Sequence, residues 1–172
     1  MNRNNKIVLT TAIGLVLIII VFAWLNRGSI LAKKAVQDSE SFSINAGGQS
    51  YTVAMDSISA LNPQEIDGNY TPSGKTASVR QYMGVPLKSI FDSLHIDYSN
   101  AGSVSFTAVD GYASAISAAE ALDEGNCFIV FEENGKPLGT EANGGSGPFM
   151  MILAKDQYSQ RWCKFLMEIT LK

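Results

Sequence analysis

The chain has 172 residues, 46% hydrophobic, 17% charged and 9% aromatic, with a formal net charge of -3, one histidine and two cysteines. The apolar content excludes a disordered tail, and two cysteines in this length exclude a disulfide-stapled miniprotein. With His95 as the single imidazole, zinc fingers and metalloprotease helices are excluded as well.

Ile7 to Leu25 runs for 19 residues without a charge, and as a helix it would reach roughly 29 Å, about one hydrocarbon thickness. It reads as a single transmembrane helix. The run is longer than the apolar core of a signal peptide, and Trp24-Leu25-Asn26-Arg27 offers no small-residue cleavage site, so an uncleaved anchor is expected. The short tail 1–6, with Arg3 and Lys6, is expected in the cytoplasm, which places the rest of the chain on the extracytoplasmic side. Residues 26–40 show no hydrophobic period and read as a linker. Residues 41–172 are long enough for one domain with its own core. All 16 acidic residues follow Arg27, together with all but three of the 13 basic ones. That acidic balance, without a basic cluster, argues against nucleic acid as a partner.

Ser41 to Ala46 and Ser50 to Ala54 flank Gly47-Gly48, which predicts a hairpin. Met55 to Leu61 reads as a helical turn stopped before Pro63. Strands are expected at Glu65 to Thr71 and Thr76 to Met83, joined by the turn sequence Pro72-Ser73-Gly74-Lys75. Pro86 opens an amphipathic helix with Leu87, Ile90, Phe91 and Leu94 on one face. A strand follows at Ser103 to Val109, then a helix at Ile116 to Leu122. Cys127 to Phe131 and Phe149 to Ala154 read as strands covered on both faces. In the last strand Cys163, Phe165, Met167, Ile169 and Leu171 are expected to face inward. The fold class is α+β, a strand-rich mixed-sheet domain with short helices.

Three apparent motifs lose their chemistry on inspection. In GNYTPSGKT, five residues separate Gly68 from Gly74 where a phosphate-binding loop has four, and no helix is expected after Lys75. The segment Gly144 to Pro148 is one residue short of a nucleophile elbow, and Ser146 has only His95 as a base anywhere in the chain. His95 itself closes an amphipathic helix, which suits a surface or cap residue.

The succession YMGVPLKSIFDSL, VSFTAVDGYASAI, FIVFEENGKPL, GGSGPFMMIL and RWCKFLMEITL resembles the oxidoreductase molybdopterin-binding domain, the fold of sulfite oxidase, over about Phe42 to Lys172. The resemblance implies molybdopterin as cofactor and a cysteine thiolate as the molybdenum ligand, carried before the strand that leads into the GVPL-like turn. Here Glu65 to Tyr82 contains no cysteine, and Cys127 and Cys163 fall on later strands. The family's arginine two residues after the proline of its GxP segment is replaced by Met150. A cleft is still expected, lined near Asp110, Tyr112, Pro148, Arg161, Trp162 and Lys164, with Lys75 and Arg80 as further cations.

Three functional readings follow. The favoured one is a membrane-anchored, extracytoplasmic, non-catalytic or altered domain that takes a small ligand or docks a membrane redox partner, with no cofactor expected. The second is a working molybdopterin-dependent oxidoreductase with an unusual metal ligand. The third is an interaction module without a ligand.

Overall fold

The computed structural model describes residues 12–25, 39–71 and 76–172, in two units that divide after Ala35. In the first unit residues 12–25 form helix α1, whose large apolar side chains are all more than half exposed, from Ile13 at 53% to Trp24 at 73%. Among the described residues no helix is long and apolar enough to cross a membrane. Residues 7–11 of the expected span, and the expected linker up to residue 38, lie outside the described residues.

The second unit holds two sheets. Strands β1 (Ser41–Ala46) and β2 (Gln49–Ala54) form the expected hairpin, with positive φ at Gly47 and Gly48. The short helix α2 (Met55–Ser59) follows. β3 (Gln64–Tyr70) and β4 (Ser78–Pro86) pair antiparallel from Gln64↔Gly84 to Tyr70↔Ser78. The second glycine of the apparent phosphate loop and Lys75 lie outside the described residues, but a strand rather than a helix follows them.

Helix α3 (Leu87–Ser93) buries Leu87, Ile90 and Phe91, as its period predicts. It ends in a Schellman arrangement: the His95 amide donates to the Asp92 carbonyl and the Ile96 amide to the Phe91 carbonyl. His95 takes the left-handed position, with φ of 55°, and is exposed. The lone histidine is therefore a helix cap, as expected.

β5 (Ser103–Ala108) pairs with β6 (Ala113–Ser117), and only then comes helix α4 (Ala118–Ala121). This corrects the helix expected from Ile116. Along β6 only Ser114 and Ile116 are buried, a period of two that small residues conceal in the sequence. β7 (Cys127–Glu133) turns through Asn134 and Gly135, both at positive φ, into β8 (Lys136–Pro137). β9 (Met150–Leu153) is fully buried against β7, and β10 (Leu166–Leu171) follows it.

One sheet has the order β2-β1-β10-β5-β6, with β1 and β10 parallel and the other pairs antiparallel. The other runs β3-β4-β7-β8, and β9 also pairs with β7. Side chains of both sheets merge in one hydrophobic cluster. Within it the Phe42 and Phe149 rings meet edge to face, 5.0 Å apart.

The last strand departs from the expected alternation. A bulge between Leu166 and Glu168 leaves Met167 without a partner on β5, so Leu166 and Ile169, three residues apart, are the fully buried pair. Phe165 breaks the run before it with a φ of 51°, and Cys163 joins Met151 in a separate bridge.

Candidate functional site

A cleft of about 440 Å³ opens where three segments meet. The end of β3 supplies Tyr70 and Thr71, the β5–β6 turn supplies Asp110 and Tyr112, and the stretch before β10 supplies Ser159, Gln160, Trp162, Lys164 and Phe165.

Each segment is held by local chemistry. Asp110 Oδ1 accepts from the Tyr112 amide at 2.9 Å, an Asx turn, while Gly111 takes the φ of 93° that the turn requires. The Tyr112 hydroxyl donates to the Gln160 carbonyl at 2.8 Å and so ties the β5–β6 turn to the last segment. On the other side the Thr71 amide donates to Ser159 Oγ at 3.0 Å, and Ser159 Oγ donates to the Thr71 carbonyl at 3.1 Å. Asn69 Nδ2 adds a bond to the Asp156 carbonyl. Phe165 kinks the chain between these segments: its amide donates to the Ser146 carbonyl, and its carbonyl accepts from the Val109 amide. Ser146, half-buried, takes part in this tie through its backbone.

Aromatic rings form the wall. Trp162 is only 4% exposed and stands edge-on to Tyr82 at 5.6 Å, with Tyr70 tilted against it at 6.3 Å. Two cations lie against Tyr70: the Arg80 guanidinium at 3.8 Å and the Lys164 ammonium at 5.0 Å from the ring centroid. Lys164 Nζ also donates to the Tyr70 hydroxyl at 3.1 Å. Burial pushes the Tyr82 phenol well above its ordinary range, Glu133 adds to the effect, and Arg80 partly offsets it. Thr71 Oγ1, Tyr82 OH and Trp162 Nε1 are buried without a hydrogen-bond partner among the described residues.

Four of the six residues expected from the sequence, Asp110, Tyr112, Trp162 and Lys164, line this cleft. Trp162 does so as a nearly buried packing residue. Two do not line it. Pro148, in a cis peptide bond after Gly147, is buried next to the core residues Phe149 and Met150. Arg161 is held by carboxylates: Nε meets Asp156 Oδ2 at 2.9 Å, Nη2 meets Glu120 Oε1 at 2.7 Å, and Nη2 pairs with Asp156 Oδ1 as well. These partners hold its proton still more firmly than usual. Arg80 is likewise paired, with Glu133. Sequence reasoning missed Tyr70, Thr71, Ser159, Gln160 and Phe165, and the only signal near any of them was the turn that begins at Pro72.

Neither cysteine belongs to the cleft wall. Cys127 is 2% exposed and Cys163 is 0% exposed, and both are free thiols. Burial, with the charge of Asp110 adding to it, pushes the Cys163 thiol up to about 12. Burial raises Cys127 further. Among the described residues no group of three or more histidine, cysteine, aspartate or glutamate side chains could hold a metal ion.

Comparison with known proteins agrees with the architecture. No curated protein matches the sequence. Among solved structures the chain is similar to the sulfane dehydrogenase SoxCD from Paracoccus pantotrophus, with 12% identity and a TM-score of 0.62. The likeness covers 79% of this chain but only 38% of the SoxCD chain, and at this identity it concerns the fold. The family model of the oxidoreductase molybdopterin binding domain matches residues 48–172. With the two-sheet arrangement and that match over most of its length, the chain belongs to the oxidoreductase molybdopterin binding domain family, with a sulfite-oxidase-like fold.

Proposed function

We propose that this protein is a membrane-anchored, extracytoplasmic member of the family in which the cleft serves as a ligand or docking site in a redox assembly rather than as a molybdenum centre. The observation that carries this reading is the donor set. Molybdenum in this family is expected on a soft thiolate, and the cleft wall contains no cysteine. The two thiols of the chain are buried in strands and neither lines the cleft, so neither is placed there as a ligand. The residues present therefore do not fit the metal. The phosphate of a pterin cofactor fares little better, because Arg161 and Arg80 are already committed to carboxylates and Lys164 is left as the cation of the wall.

The anchor reading draws on the uncharged run from Ile7 to Leu25 and on the exposed apolar surface of α1. The family match supports a second reading, a working molybdopterin-dependent oxidoreductase. Metal analysis of the full chain isolated from its native membranes separates the two. Substoichiometric molybdenum is expected, and one molybdenum per chain would overturn the first reading in favour of the second. Protease treatment of intact spheroplasts should remove the domain from the membrane fraction; a soluble, shortened mature form would overturn the anchor.

A further inference from the structure

We propose that the cleft binds a small aromatic zwitterion, a molecule of the aromatic amino acid class that presents a carboxylate to Lys164 and an ammonium group to Asp110. The inference rests on the reading of the cleft as a ligand site and adds the chemistry of the ligand.

The charges on the wall set the choice. Lys164 Nζ has one hydrogen bond, to the neutral Tyr70 hydroxyl, and no carboxylate within ion-pair distance among the described residues. Asp110 accepts one bond, from the Tyr112 amide, and likewise has no cation within that distance. The wall thus carries one cation and one anion, each without an ionic partner. A simple anion would satisfy Lys164 but face the Asp110 carboxylate, and a dianion such as a phosphate would meet it with twice the charge. A cation alone has the opposite defect. A zwitterion matches both groups and leaves the cleft electrically balanced.

The remaining wall suits a ring. Tyr70, Tyr112, Trp162 and Phe165 surround the two charges with aromatic surface. Trp162 is more than nine-tenths buried and lends the wall only a part of its ring surface. The volume of about 440 Å³ exceeds that of a single aromatic amino acid and falls in the range of small-molecule pockets.

The test uses the full chain in lipid nanodiscs, titrated calorimetrically with L-phenylalanine, with 3-phenylpropanoate, which lacks the amine, and with phenethylamine, which lacks the carboxylate. L-phenylalanine should bind about tenfold or more tighter than either half-probe, the size of one charge-assisted hydrogen bond. Lys164→Met should abolish its advantage over phenethylamine, and Lys164→Arg should restore most of it. Asp110→Asn should abolish its advantage over 3-phenylpropanoate. The probe series on the unaltered protein decides the matter even where a variant fails to fold. Equal binding of the three probes, or an advantage untouched by both substitutions, would overturn the zwitterion. Tighter binding of one half-probe would overturn it too, yet leave a ligand cleft standing. Failure of all three probes, with molybdenum still substoichiometric, would overturn the ligand and leave docking.

Discussion

A Cβ placed on Gly68 would lie 2.8 Å from Cη2 of Trp162 and 3.0 Å from the Tyr82 ring. The absence of a side chain in the middle of β3 is what lets the indole pack edge-on to Tyr82 and form the floor of the cleft. Gly68→Ala is therefore expected to destabilise the domain by about 1–3 kcal/mol, the range for overpacking a filled site. Urea unfolding of the full chain measures this directly, and an unchanged midpoint would mean that the indole moves aside freely.

The two thiols make a second prediction. Cys127 lies opposite Leu153 on one edge of β9, while Cys163 bridges Met151 on the other edge. Two strand spacings alone separate them by about 10 Å, beyond the roughly 7 Å that a disulfide spans. Neither thiol should react with Ellman's reagent in the native chain, and two should react after denaturation without reductant. Fewer than two would reveal a bridge and contradict the sheet register.

A third prediction concerns acid. The Lys88 ammonium and the Tyr98 hydroxyl hold the Asp92 carboxyl below its ordinary range. Its contribution to stability is full above the unfolded value of about 3.9 and fades as pH falls through the lower folded value. Both side chains of the Lys88–Asp92 pair are nearly half exposed, so the effect is small. Asp92→Asn should lower the urea midpoint slightly at neutral pH, and the two proteins should converge as the pH drops below the folded value. A gap that persists in acid would assign the effect to packing instead of charge.

Helices and strands with bulky residues at their natural period were legible in the sequence. Leu87, Ile90 and Phe91 announced α3, and the continuous apolar run at β9 announced a strand buried on both faces. β6 was hidden because Ala113, Ser114 and Ala115 carry almost no hydrophobic contrast, and its strand character comes from pairing with β5. The bulge at Met167 was hidden for a related reason, since only the partner strand defines which residue is extra. The cleft was legible where turn chemistry marks it, as at Asp110. It was illegible where the wall depends on contacts distant in sequence, such as the clasp of Thr71 by Ser159, 88 residues away. Arg161 shows the opposite error: it neighbours Trp162 in sequence, but Glu120, 41 residues earlier, draws its guanidinium elsewhere.

β10 is the final strand in chain order and the central strand of its sheet, lying between the β1–β2 and β5–β6 hairpins. Both hairpins can assemble as they leave the ribosome, because their partners are close in sequence. They cannot be joined until β10 arrives to pair Ser43 with Glu168 and Phe106 with Ile169. A chain terminated before Leu166 would keep two hairpins with open edges facing one another, each ready to accept a strand from a second molecule. Loss of β10 is thus loss of the keystone, and biosynthesis carries the domain through a sticky half-built stage that ends only when this strand is in place.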